Sequence, residues 1–144
     1  MPELLSFELA APLQQDSCFV ADWPLCQLRV INDQQYPWFL LIPRRAGVLE
    51  LVDLTPEDYL QYQQESWQLA CWLRQHFRPD KLNIAALGNV VPQLHIHHIA
   101  RFKEDKAWPA PIWGVVKMQP YHQAELQERI RLWQQSLPEW PSLA

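Results

Sequence analysis

The segment Gln93-Leu94-His95-Ile96-His97, inside the stretch from Gly88 to Arg101, carries side chains suited to phosphoryl chemistry. Three of the chain's five histidines fall in that stretch, among β-branched and aliphatic residues that favour a strand. Side chains alternate between the two faces of a strand. The pattern therefore predicts Gln93, His95 and His97 on one face and Leu94, Ile96 and His98 on the other. A neutral imidazole, with a reference pKa near ~6.5, is a good nucleophile at neutral pH and a tolerable leaving group once phosphorylated. A neighbour two residues on lies about 6 to 7 Å along the strand, close enough to hold the same phosphate. The middle position is the natural nucleophile, with helpers on both sides.

This row resembles the signature of the histidine triad (HIT) superfamily of nucleotide hydrolases and transferases, His-φ-His-φ-His-φ-φ with φ apolar. Further matches lie in Asn32-Asp33, Ile42-Pro43-Arg44-Arg45, Asp53-Leu54-Thr55, Asn83 and Gly88-Asn89. The resemblance covers roughly residues 17 to 101. The run from Tyr36-Pro37-Trp38 to Trp108-Pro109 is similar to a short bacterial branch described as diadenosine-polyphosphate-hydrolase-like. The signature is broken twice: Gln93 replaces the first histidine, and His98 stands where an apolar residue is usual.

The resemblance implies that His95 attacks an α-phosphorus to give a nucleotidyl-histidine, which water or another acceptor resolves without metal or cofactor. It implies that His97 hydrogen-bonds the phosphate or the leaving-group oxygen. Gln93 can donate from its amide to a phosphate oxygen but cannot shuttle a proton, so slower turnover than in a full triad is expected, with a gain on Gln93→His. Asn89 is a phosphate-binding candidate, although Gly-Asn is equally suited to a turn. The resemblance makes Asn32 or Asp33 a ribose-hydroxyl acceptor, against the default of a strand-end turn, and places Asn83 nearer the sugar and phosphate. Arg101 shares the parity of His95 and His97 and is a candidate for the distal phosphates of a polyphosphate. Arg29, Arg44, Arg45 and Lys103 otherwise read as solvated charges. His98 faces away and reads as a buried or edge histidine satisfied locally, outside the catalytic set. Trp108 and Trp113 either stack a base or cover an apolar edge.

Composition sets the frame for these residues. With 144 residues and 49% hydrophobic content, one domain over 1–144 is expected, its core about 17–101 and a C-terminal loop and helix over 102–144. A net charge of −4 argues against a general nucleic-acid or anionic-membrane binder. Cys18, Cys26 and Cys71 are odd in number and form no Cys-x-x-Cys pair, which suits reduced thiols rather than a disulfide framework or zinc knuckle. Met1 to Leu13 has two glutamates and no basic side chain, and no apolar run approaches about 18 residues. A cytoplasmic protein is expected.

The elements that must position the row follow from periodicity and turn chemistry. Residues 1–16 read as an irregular or short helical lead-in anchored by Leu4, Leu5, Phe7, Leu9 and Leu13. Strands are predicted at 17–21, 25–31, 38–42 and 82–87, followed by the histidine strand. Trp38 to Ile42 is a continuous apolar run, as for a strand buried on both faces. A helix should start at Thr55, with Pro56 in its first position and Glu57-Asp58 at its positive end, and run to about His76. Leu60, Trp67, Ala70 and Cys71, beside Leu69, Leu73 and Phe77, supply its helical spacing, with Gln61, Gln63, Gln64 and Gln68 on the wet side. A second helix is predicted over 121–137, after a Trp- and Pro-rich loop. The order predicts an α+β domain with a mainly antiparallel five-stranded sheet and two principal helices on one face, which agrees with a HIT-like fold. The resemblance further implies a homodimer with a continuous sheet.

The leading function is cleavage of a phosphoanhydride or phosphoramidate bond of a nucleotide such as a dinucleoside polyphosphate or nucleoside phosphoramidate. Two alternatives come from other classes. One is a nucleotide-binding module with little catalysis, which Gln93 favours. The other is a metal-dependent hydrolase, since His-x-His and His-His are also ligand spacings, although the strand has no nearby Cys, Asp or Glu to complete a site.

Overall fold

A computed structural model describes residues 6–140. The elements in chain order are α1 (Ala11–Asp16), β1 (Ser17–Asp22), β2 (Cys26–Ile31), β3 (Trp38–Pro43), a 3-10 turn (Leu51–Asp53), α2 (Pro56–Phe77), β4 (Lys81–Ala85), β5 (Ile96–Arg101) and α3 (Gln123–Ser136). The strands form one sheet in the order β1-β2-β3-β5-β4, and every neighbouring pair is antiparallel.

Local sequence explains the boundaries. The Thr55 hydroxyl accepts from the Asp58 backbone N–H at 3.1 Å, Pro56 supplies the fixed first-turn geometry, and the acidic first turn meets the positive end of the dipole. Arg78 closes α2 in the left-handed region at φ 52°. β3 is buried along its whole length because it lies in the middle of the sheet with both faces covered.

Alternation along β3 separates two cores. Phe39 and Leu41 face α2 and α3, meeting Leu69, Trp72, Leu126, Ile130 and Trp133. The Phe39 ring lies 5.4 Å from Trp72 and 5.2 Å from Trp133 between centroids, at the steep angles aromatic pairs prefer. Trp38, Leu40 and Ile42 face the opposite way, with Ile31 and Ile99 beside them. Both principal helices thus share one face, as the sequence predicts. What covers the other face is the lead-in, through Phe7, Leu9 and Leu13, together with Ala107, Ile112 and Trp113 of the Trp- and Pro-rich loop. Leu4 and Leu5, also expected as anchors, lie outside the described residues.

Three expectations are corrected. Leu60 and Trp67 are exposed, and the inward face of α2 is instead Tyr62, Glu65, Leu69, Trp72 and Leu73. Glu65 breaks the apolar pattern because its carboxylate accepts from the backbone N–H groups of Leu25 and Cys26 at 3.0 and 2.8 Å and from Gln61, tying α2 to the start of β2. Arg29 is not a solvated charge: it is buried on β2, donating to the hydroxyl and carbonyl of Ser17 and to Gln27. The histidine strand also begins later than alternation suggests. β5 starts at Ile96, so Gln93, Leu94 and His95 lie in the loop leading into it.

Candidate active site

β5 pairs with β3 on one side, Leu40 opposite His97 and Phe39 opposite His98, and with β4 on the other. This central placement fixes the strand, and His95 enters from the loop just before it. His95 and His97 nonetheless come together, their ring centroids 5.0 Å apart at 69°, and both side chains are nearly buried. His98 points to the helix side, as expected.

Hydrogen bonds decide which nitrogen of each ring carries the proton. Nδ1 of His95 lies 2.7 Å from the backbone carbonyl oxygen of Gln93, which can only accept. The neutral His95 ring is therefore protonated at Nδ1 and has its free lone pair at Nε2. Nδ1 of His97 lies 2.9 Å from the indole Nε1–H of Trp38, which can only donate. The neutral His97 ring is therefore protonated at Nε2. The pair offers one lone pair and one N–H, a nucleophile beside a donor.

Burial, with help from the neighbouring His95 and His98, lowers the pKa of His97 to about 3, so this ring is neutral at ordinary pH. Burial likewise lowers His98 to about 4, only partly offset by its bond to the Ile96 carbonyl. His98 donates from Nδ1 to that carbonyl at 3.1 Å and accepts from the Ser66 hydroxyl of α2 at 2.8 Å. Both of its nitrogens are used, which keeps it out of the chemistry. Trp113 packs edge-on against His97 at 5.1 Å and against Trp38 at 6.4 Å, closing the aromatic wall of the site.

The other sequence-predicted residues have the following partners. The Gln93 side chain is bound at both ends to the lead-in: Oε1 accepts from the Ala10 N–H at 2.8 Å, and Nε2 donates to the Glu8 carbonyl at 2.7 Å. Its amide works as a backbone-like clamp, with one Nε2 hydrogen left over. Asn89 is exposed in the loop after Gly88, whose φ of 71° makes the turn. Asn32 and Asp33 end β2, where the Asn32 side-chain oxygen accepts from the Tyr121 N–H at 2.9 Å. Asp33 Oδ1 accepts from the backbone and side chain of Gln35 and from the Gln119 N–H. Arg101 and Asn83 are brought together, Nη1 donating to Asn83 Oδ1 at 2.7 Å.

Arg101 is buried rather than exposed to a polyphosphate chain. Its guanidinium forms a bidentate pair with Asp105 at 2.7 and 3.0 Å and donates to the Ala110 carbonyl. Burial alone would raise the Asp105 carboxyl, but bonds from Arg101 and from the Phe102 and Trp108 N–H groups outweigh it and hold its pKa below the ordinary value. Trp108 lies against the guanidinium, 5.8 Å from it to the ring centroid. Sequence reasoning passed over Trp38, Ser66 and Asp105. Periodicity places Trp38 only on a face of a strand and Ser66 only on a face of a helix, and nothing local shows that Asp105 folds back on Arg101. Among the described residues, no group of three or more His, Cys, Asp or Glu is placed to hold a metal ion.

Residues 13–104 match the family model of the HIT domain. Solved structures of histidine triad proteins are similar over nearly the whole chain. One from Bradyrhizobium japonicum is 40% identical and covers 93% of this chain and 100% of its own, with a TM-score of 0.89. One from Sinorhizobium meliloti 1021 is 36% identical over 92% and 97%, with a TM-score of 0.87. A third, from Marinobacter aquaeolei VT8, is 37% identical over 92% and 99%, with a TM-score of 0.84. No curated protein matches the chain.

Proposed function

The chain belongs to the histidine triad family, and from that premise we propose that it is a nucleotide hydrolase or nucleotidyl transferase working through a nucleotidyl-His95 intermediate. The observation that carries this reading is the opposed protonation of His95 and His97, set by Gln93 and Trp38. Nε2 of His95 forms a bond to the α-phosphorus. The bond from phosphorus to the bridging atom breaks, and its electron pair leaves with the remainder of a dinucleoside polyphosphate, or with the nitrogen of a phosphoramidate, which takes a proton from solvent and departs as the amine. The Nε2–H of His97 is the donor for the leaving atom or a phosphate oxygen, by hydrogen bond and not by proton transfer. His95, now carrying phosphorus on Nε2 and hydrogen on Nδ1, is cationic, and the Gln93 carbonyl stabilises that charge. Water then attacks phosphorus, the P–N bond breaks, a proton is released, and neutral His95 returns.

In this reading Asn89 and the spare Nε2 hydrogen of Gln93 are the amide donors to phosphate, and one of Asn32 and Asp33 meets the ribose. Asn83 acts by holding Arg101, and Arg101 acts by holding the loop that carries Trp113. The pairing partner is a second copy. β1 and β4 are the edge strands, but the Val20 carbonyl of β1 already accepts from Gln134, whereas β4 and the residues after it leave Ile84 and Leu87 about half exposed.

The test is product analysis with diadenosine tetraphosphate and adenosine 5′-phosphoramidate, wild type beside His95→Ala, with and without a chelator. Release of AMP by the wild type alone, unaffected by the chelator, is expected. Activity that survives His95→Ala, or that the chelator abolishes, contradicts the proposal. Nucleotide binding without turnover would favour the binding-module reading.

A further inference from the structure

We propose that Trp38 is a positioning residue that fixes which nitrogen of His97 faces the substrate, an inference that rests on the nucleotidyl-transfer reading above. An indole Nε1–H has no acceptor capacity, so an imidazole nitrogen bound to it must present a lone pair. At 2.9 Å, with both side chains buried, that nitrogen is Nδ1 of His97, and the ring proton is driven to Nε2. The ring cannot satisfy Trp38 in the other neutral form, because Nδ1–H would then meet the indole N–H head-on.

The geometry around the pair holds this arrangement. Trp38 opens β3 and pairs with Ile99, while His97 pairs with Leu40, so the two rings hang from adjacent, hydrogen-bonded strands. Trp113 packs edge-on to both, at 85° to Trp38 and 77° to His97. The buried ring is neutral, so no second proton arrives on Nδ1 to break the bond. Without the indole donor, a share of His97 rings would carry hydrogen on Nδ1 and turn a lone pair toward the phosphate. The site would then have two lone pairs and no donor for the charge that grows on the departing atom.

Trp38→Phe keeps an aromatic ring and removes the donor. If that change unsettles the fold, benzothienylalanine at position 38 keeps the bicyclic shape and replaces N–H with sulfur. Long-range 1H–15N NMR of histidine-labelled protein reads the tautomer without any substrate. The wild type should show His97 as a single form protonated at Nε2, and either variant should show a mixture or the opposite form.

Kinetics then give a readout that a packing role would not move. With aryl esters of AMP, kcat/KM for the phenyl ester, a poor leaving group, should fall roughly 10- to 100-fold. That is less than the ~100- to 1,000-fold typical of deleting a charge-stabilising donor outright, because some rings keep the right form. The p-nitrophenyl ester should lose much less. An unchanged His97 tautomer in both variants, or equal losses on both esters, would overturn the assignment. A wild type inactive on every nucleotide tested would refute the function proposed above and leave the NMR result to decide this inference alone.

Discussion

Arg101 and Asp105, four residues apart, form an ion pair at 2.7 Å with side chains only 2% and 5% exposed. The pair lies where β5 ends and the Trp- and Pro-rich loop begins. The carboxylate also collects the N–H groups of Phe102, Ala107 and Trp108, so one side chain shapes the turn of the loop that brings Trp113 to His97. Breaking a buried pair leaves the remaining charge desolvated and uncompensated, at a cost of about 3–5 kcal/mol. Asp105→Ala should lose that much in urea denaturation and should also slow turnover. A loss below ~1 kcal/mol would show that the pair is not the loop's anchor.

Gln93 is predicted to matter as a clamp. Its two bonds to residues 8 and 10 hold the lead-in across the sheet face that carries the site. At about 0.5–1.5 kcal/mol net per hydrogen bond, Gln93→Ala should cost roughly 1–3 kcal/mol and speed hydrogen exchange at the Ala10 amide. The signature alone suggests that Gln93→His should raise the rate. An imidazole cannot span the Ala10 N–H and Glu8 carbonyl as the amide does, so the clamp predicts no gain in turnover and the same faster exchange. A faster Gln93→His enzyme with an unchanged lead-in would refute this.

Acid should destabilise the fold before most carboxylates titrate. In the unfolded chain His97 and His98 would titrate near ~6.5, whereas folded they do so at about 3 and about 4. Between those limits the unfolded state binds more protons, so stability is full above pH 6.5 and falls as pH drops through that window. Each imidazole should remove about 2 kcal/mol between pH 7 and pH 5. Urea titrations at both values measure the loss, and His98→Gln, which does not titrate, should show about half of it. Equal stability at pH 7 and pH 5 would contradict the buried, neutral assignment.

The β4 edge gives a prediction about assembly. Ile84→Lys places a charge on an exposed position of that strand, a change that disfavours edge-to-edge pairing. Light scattering should report a dimer for the wild type and a monomer for the variant. A wild-type monomer, or a variant that stays dimeric, would remove β4 from the interface.

Much of this structure is legible in the sequence where local rules are strong. Thr55-Pro56 marks the start of α2, and the apolar run of β3 and the side to which His98 turns follow from capping chemistry and period-two alternation. The errors fall where a distant partner overrides local pattern. Leu60 and Trp67 look like core residues, but Glu65 takes the inward position because the backbone of β2 needs its carboxylate. Arg101 has the parity of a phosphate ligand, yet Asp105 and Asn83 enclose it. The bonds of Gln93 to the lead-in escape the sequence because their partners lie 83 and 85 residues away, beyond any periodicity. The bond from Trp38 to His97 spans 59 residues and is equally invisible to spacing.

The most direct test of the account is intact-protein and peptide mass spectrometry after rapid quenching of wild type and His95→Ala mixed with adenosine 5′-phosphoramidate. The account predicts an acid-labile adenylyl mass on the wild type, localised to His95, and none on the variant. An adduct on another residue, or AMP formed by the wild type with inversion at a chirally labelled phosphorus and no adduct at any quench time, would contradict it.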